Sequence, residues 1–297
     1  MRILASPALR PYIKYYWHIC GPSNHYAQMI IPNGCARMCF LRKASIMISQ
    51  NFRESSIKSH KAAPIISGAT ISNGVIIGAG TRYQVAYLDG EADMIGVELS
   101  LLGTYLIRNL GAASLNGTAK AISETGNQKL MELESQIIKA TSDYEYFGIL
   151  NNFFGLLLQQ QSKADPNIHR LQQIQTMCDL NFLTDVKQMA DIICMSTRQL
   201  SRILISQIGI SPSDLITLSR YRNSILMIHA HRDWPLWMIA EECGYASLSH
   251  MTRDYSKING HTPGMILSDI KAYTSGPDSS LFLKTEKNGI TYMCNLF

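Results

Sequence analysis

The sequence predicts an α+β chain: a β-rich N-terminal region with flanking helices, then an all-α region of seven helices holding two helix-turn-helix units. Three observations predict it. Short apolar stretches separated by glycine turns fill the first hundred residues, apolar spacing switches to a helical period near residue 101, and one short helix–turn–helix theme occurs twice between residues 168 and 271.

In residues 1–100, turn signals recur at Asn33-Gly34, Gly68, Asn73-Gly74, Gly78, Gly80, Asp89-Gly90 and Gly96. Between them lie Met29–Ile31, Arg37–Leu41, Ile46–Ile48, Val75–Ile77, Tyr83–Leu88 and Met94–Leu99, each read as a strand. Short strands at this spacing predict a sandwich or small barrel. Leu101, Leu102, Tyr105, Leu106 and Leu110 then recur at helical spacing, with Gly111 as the stop. Leu130, Leu133, Ile137 and Ile138 mark a second helix. Tyr146, Ile149, Leu150, Phe153, Phe154, Leu157 and Leu158 mark a third. The wide aromatic stripe of this third helix fits either packing on the β unit or a dimer seam.

A polar stretch at 161–167 ends in a helix-start signal and separates a domain at 1–160 from one at 168–271. The tail, 272–297, holds Leu281-Phe-Leu and Ile290-Thr-Tyr-Met, which are too apolar for a plain linker.

Composition bounds the function classes. Apolar residues make up 46% and charged residues 16%, ample for a core and unlike a disordered chain. No apolar run approaches the roughly 20 residues that span a bilayer, and the first residues turn polar too quickly for a signal peptide. A cytoplasmic protein without membrane association is expected. Seven scattered cysteines fit reduced thiols rather than a disulfide framework. Cys35 and Cys39 have no second pair at ligand spacing, so no metal site is expected. The net charge of +5 sits in residues 1–164, with 15 Lys/Arg against 10 Asp/Glu, while residues 165–297 hold 12 of each. Positive charge in the helical region is local: Arg198, Arg202, Arg220, Arg222 and Arg232 stand against Asp214 alone between 196 and 232.

The helices of that region are read at about 168–180, 184–194, 196–208, 212–230, 235–243, 247–259 and 263–271. Each copy of the repeated theme has a short helix with an alanine (Ala190, Ala240) where two helices can cross closely. A tight turn follows, then a serine N-cap (Ser196, Ser247) and a second helix ending at glycine (Gly209, Gly260). Ser211-Pro212 and Thr262-Pro263 cap and open the next helices. Polar residues gather near the start of each second helix: Arg198, Gln199, Ser201 and Arg202 in the first, and Ser249, His250, Thr252 and Arg253 beside Leu248 in the second. Leu200, Ile203, Leu204, Met251 and Tyr255 face inward. This is what a helix needs to enter a major groove and reach base edges and phosphates. Trp234 and Trp237 read as helix-packing aromatics.

These residues resemble the AraC/XylS regulators over about residues 168–270. The resemblance is carried by Met195–Arg202, Gly209-Ile-Ser-Pro212 with Arg220 downstream, Ile239-Ala-Glu-Glu-Cys-Gly-Tyr245, Ser249-His250 and Gly260-His-Thr-Pro263. Asn259 stands where that family usually has an apolar residue, and Leu248 where a polar reader is common. The resemblance implies two recognition helices in successive major grooves, joined by a long linker helix at about 212–230. Contacts are implied at Ser196, Thr197, Arg198, Gln199, Ser201 and Arg202, and at Ser247, Leu248, Ser249, His250, Thr252 and Arg253.

The N-terminal part resembles a cupin-like sensor unit of some of these regulators, through Leu9–Trp17, Ile31-Pro-Asn-Gly34, Gly78-Ala-Gly80 and Ile95–Leu99. Trp17, Arg37 and Tyr83 are its candidate effector-pocket residues. The expected function is sequence-specific transcription regulation, with double-stranded DNA and RNA polymerase as partners and a small effector or homodimerisation acting through the N-terminal domain. The alternative is a regulator working mainly through protein contacts, its N-terminal domain an oligomerisation module that senses nothing. No catalytic set and no cofactor are expected: Gly78-Ala-Gly80 lacks the third glycine of a dinucleotide loop, and Cys35 and Cys39 fall short of the zinc-bound cysteines of methyl-acceptor repair proteins.

Overall fold

The structure is a computed structural model describing residues 1–21, 26–49, 70–111, 115, 117–161, 165–180, 185–273, 282–287 and 290–295; for 26–29, 49, 89–90 and 269–295 it describes the backbone. Gly68, Leu281 and residues 162–164 of the polar stretch lie outside the described residues.

Twelve described strands, numbered in chain order, form two six-stranded sheets. The first runs β1 (Arg2–Ile3), β2 (Ile13–Gly21), β9 (Ala92–Leu99), β4 (Arg37–Leu41), β7 (Gly74–Ile77) and β10 (Ala119–Ala121). The second runs β11 (Phe282–Lys287), β12 (Ile290–Asn295), β3 (Tyr26–Ile30), β8 (Gln84–Gly90), β5 (Ala44–Ser49) and β6 (Thr70–Ile71). Neighbours are antiparallel except β12 and β3.

Pleating gives the first sheet two apolar faces. On β4, Cys39 and Leu41 join Val75, Ile77 and Met94 against Ile46, Ile48, Ala86 and Leu88 of the second sheet. Met38 and Phe40 point the other way, with Ile76, Ile95 and Val97, toward helices. Alternate side chains thus serve different cores, so these strands read as continuous apolar runs. The sequence reading names β3, β4, β5, β7, β8 and β9 but not the short β1, β6 and β10, the tail strands β11 and β12, or the long β2. A register irregularity between Ile13 and Tyr15 breaks its alternation, and only Ile13 and Tyr16 are fully buried along it.

Helix α1 (Leu101–Leu106) starts at the Ser100 cap, and a 3-10 turn carries it to Gly111. It bridges two cores. Leu101, Leu102 and Tyr105 pack with the C-terminal helices, and Leu106, Ile107 and Leu110 with the first sheet. Helices α2 (Gln128–Lys139) and α3 (Asp143–Gln160) cover that sheet through Leu130, Leu133, Ile137, Leu150 and Phe154. Packing on the β unit therefore uses much of the stripe read from the sequence. The start of α3 is tied down by His18, whose Nδ1 lies 2.6 Å from Asp143 and whose Nε2 lies 3.1 Å from Asp93.

Seven helices follow: α4 (Pro166–Asp179), α5 (Val186–Ile192), α6 (Thr197–Ile203), α7 (Pro212–Ala230), α8 (Leu236–Glu242), α9 (Leu248–Asn259) and α10 (Pro263–Tyr273). A π turn, Leu204–Ile208, extends α6 to Gly209. Asp165, at the end of the polar stretch, caps α4 and accepts a 2.6 Å bond from Tyr105. Ile31, Cys35 and Ala79 of the β region share one core with these helices. No helix among the described residues is long and apolar enough to cross a membrane.

Candidate nucleic-acid interface

Each candidate recognition helix, α6 and α9, is set by its own local chemistry. The Ser196 hydroxyl accepts the Gln199 N–H at 3.2 Å, and the Gln199 amide oxygen accepts the Ser196 N–H at 3.1 Å, a capping box that satisfies two otherwise free donors. In the second unit the Ser247 hydroxyl accepts the His250 N–H at 3.1 Å. Leu200 and Leu204 anchor α6 from below, and Met251 and Tyr255 anchor α9. Above them Ser196, Thr197, Arg198, Gln199 and Arg202 are exposed, with Ser201 half-buried. On α9, Ser247, Leu248, Ser249 and Arg253 are exposed, with His250 and Thr252 half-buried. At helical spacing Thr197, Arg198, Ser201 and Arg202 share one side of α6, and Leu248, Ser249, Thr252 and Arg253 share one side of α9. Several of the candidate contacts already have internal partners: Ser196 and Gln199 share the cap, Ser247 caps α9, Thr252 donates to the Leu248 carbonyl at 2.8 Å, and His250 faces Asp254 at 3.6 Å and Tyr245 edge-on at 5.3 Å. Burial raises the Asp254 carboxyl above its usual range, opposed by its neighbours His250, Arg220, Lys257 and Arg253.

The turns show where the two units differ. Gly244 turns the second at φ +74°, whereas Cys194 occupies the matched place at φ 54°. A side chain there costs about 1–2 kcal/mol of backbone strain. Cys194 is exposed, so Cys194→Gly loses little packing. It is expected to stabilise the chain by about 0.5 kcal/mol after the entropy of an added glycine, read as a raised urea midpoint at unchanged m.

Helix α7 joins the units through a buried polar network. Asn259, fully buried, donates to the Tyr221 hydroxyl at 2.8 Å and accepts the His261 N–H at 2.9 Å. The Ser224 and Tyr255 hydroxyls lie 2.7 Å apart, and the Tyr221 and Tyr255 rings meet edge-on at 4.7 Å. The residue that departs from the usual apolar pattern is therefore part of the joint between α7 and α9.

The candidate effector residues fall in three places. Trp17 lies across Gly96 of the neighbouring strand, where any Cβ would run into the indole. Tyr83 sits at the seam with the second unit. Its N–H donates to the Ile258 carbonyl at 2.8 Å, and its ring fills the space beside Gly260, itself at φ +74°. Arg37 pairs with Glu98 at 3.0 Å and lines a cavity of about 80 Å³ between the β region and α4/α7, with Lys14, Ile31, Leu215, Tyr221 and Arg222. The sequence carried no local sign of this shared cavity.

Other readings resolve locally. Gly78-Ala-Gly80 follows β7 into a turn in which Gly80 approaches the Gly117 backbone, with no helix after it. The Cys35 and Cys39 thiols are buried and raised by that burial, Cys39 to about 12. Among the described residues no group of three or more His, Cys, Asp or Glu is placed to hold a metal ion. Trp234 stacks on His231 at 4.1 Å, but Trp237, read as a packing aromatic, is 56% exposed, because it falls on the outer side of α8.

Residues 189–268 match a family model described as a helix-turn-helix domain, and residues 1–119 match one described as a domain of unknown function (DUF6597). No curated protein matches the chain. Solved structures of ToxT from Vibrio cholerae are similar. One is 13% identical with a TM-score of 0.42, covering 85% of this chain and 98% of that one. Another, described as bound to an unsaturated fatty acid, is 11% identical with a TM-score of 0.41, covering 85% and 93%.

Proposed function

We infer, from the AraC-type helix-turn-helix domain at residues 189–268, that this chain is a transcription regulator that reads double-stranded DNA in successive major grooves with α6 and α9. The observation that carries the reading is the pair of matched helical edges, Arg198/Arg202 and Arg253 among them, exposed at capped helix starts and joined by the single helix α7. Helix starts and arginines supply the donors that phosphates and base edges accept. The evenly balanced charge of residues 165–297 makes affinity depend on these few cations. Selection of genomic fragments with the purified chain at two salt concentrations tests this. A shared motif whose recovery falls with salt supports it. No enrichment at low salt opposes it and favours a regulator working through protein contacts with RNA polymerase or other partners.

The cavity between the β region and α7 supports modulation by a small effector. Its charged lining is Lys14, Arg37 and Arg222 against Glu98, with apolar walls from Ile31, Leu215 and Leu218, which suits a carboxylate on a short apolar body. At about 80 Å³ it is smaller than the roughly 300–1,000 Å³ of sites for drug-sized ligands, so the two walls must separate for anything larger. Short aliphatic carboxylates at millimolar concentration are expected to raise the Tm of the wild type by about 2–4 °C and to do nothing for Lys14→Ala/Arg222→Ala. Equal shifts in both would remove this site. Homodimerisation is supported by the groove between α2 and α3, where Ile149, Phe153 and Leu157 stand beside Leu156, 48% exposed. A concentration-independent monomer mass in sedimentation would oppose it.

A further inference from the structure

The C-terminal tail demanded burial by its composition, and DNA reading gives it no task. In the structure it forms the hairpin β11–β12, and β12 lies parallel to β3. Thr291 stands opposite Tyr26, Tyr292 opposite Ala27, Met293 opposite Gln28 and Cys294 opposite Met29. On its other side β3 pairs with β8, so without the hairpin β3 would be the edge of its sheet. An edge strand presents a row of N–H and C=O groups that another strand can fill.

The attachment point of the hairpin gives the pairing a consequence. The chain leaves α10, which packs on α7 and α9 beside the second unit, at Tyr273, and enters β11 at Phe282. The connection can span at most about 30 Å when fully extended. A hairpin docked on β3 therefore limits how far the second unit can move from that sheet. The next strand of the same sheet begins one residue after Tyr83, which bonds the Ile258 carbonyl and fills the space beside Gly260 at the end of α9. The second unit thus meets one sheet at two points. A tether keeps the effective concentration of the small Tyr83 contact high even where that contact alone would be weak.

We propose that the edge of β3 is a strand-docking surface whose occupant is the chain's own C-terminal hairpin, and that the docked hairpin is a clasp holding the second helix-turn-helix unit against the N-terminal sheet. Strand register and chain connectivity carry this, and its test needs no DNA. Hydrogen exchange is measured on the full chain, wild type beside Met293→Pro, which takes one N–H from β12. The β3 amides facing β12 and the Tyr83 amide are expected to exchange at least tenfold faster in the variant, while β4 and β9 keep their rates and show the sandwich intact. In Met29→Cys, oxidised glutathione is expected to link the new thiol to its register partner Cys294. Both thiols are oxidised to one disulfide and glutathione is reduced, as mapped by mass spectrometry, and Tyr83 exchange slows. Three results would overturn the clasp: fast β3 exchange with Tyr83 unchanged, β3 exchange indifferent to the proline, or, in Met29→Cys, a disulfide from Cys294 to the introduced thiol that forms only between chains.

Discussion

A chain carrying Arg198→Ala and Arg202→Ala is expected to bind its selected DNA about 100-fold more weakly than wild type, and to show a shallower dependence of log K on log salt. Each arginine stands exposed on α6. A good bidentate base contact discriminates by about 1–3 kcal/mol, and each phosphate contact adds about one to the salt slope. Two such losses amount to about 2.7 kcal/mol, or two decades. Because neither side chain anchors the core, the urea midpoint should stay within experimental error of wild type. Titration of labelled DNA at 50 and 200 mM salt reads both quantities. Unchanged affinity would remove α6 from the interface, whereas a uniform loss across all sequences would make both residues phosphate contacts only. Arg253→Ala should behave likewise at the second unit, with a smaller effect, because Leu248 leaves that edge one polar reader short.

How much of this was legible in the sequence follows from how local each determinant is. The seven helices were legible because their ends are written in neighbouring residues. Ser196, Ser211 and Ser247 each accept an N–H three residues on, and Gly209 and Gly260 close their helices in the left-handed region. The central strands were legible because two apolar faces make them nearly continuous in apolar residues. Strand β2 was not, since a bulge breaks its period, and β12 was visible only as a segment too apolar to be linker. The candidate reading residues stood out in the sequence because they repeat in register. The candidate effector residues were grouped by chemical type alone, and the fold puts Trp17, Arg37 and Tyr83 in separate surroundings. The seam at Tyr83 and Gly260 joins residues far apart in sequence, with no local signal beyond a helix-ending glycine whose neighbour could not be known.

Asn259→Ala is expected to cost about 3 kcal/mol of stability and, with it, much of the DNA affinity contributed by α9. The side chain is fully buried, donates to the Tyr221 hydroxyl and accepts the His261 N–H that begins the turn into α10. Truncation removes both bonds and leaves a void at the crossing of α7 and α9. A broken buried bond costs about 1–3 kcal/mol, more than the same bond contributes net when made, because the surviving partner stays desolvated. An apolar residue at this position is no remedy by itself. Asn259→Leu would set an aliphatic side chain against the Tyr221 hydroxyl and the His261 amide. Paired with Tyr221→Phe it should recover most of the loss, since replacing both partners of a buried bond by apolar groups can be close to neutral. Urea unfolding of the two single variants and the double variant gives the coupling directly. A coupling near zero would mean that Asn259 acts only through the turn at His261. A coupling of about 1 kcal/mol or more would mean that the joint between α7 and α9 is held by the Asn259–Tyr221 hydrogen bond. The orientation of α9 on α7 is then fixed by a directional bond rather than by packing alone, and DNA affinity should follow the recovery of that bond or of its apolar substitute.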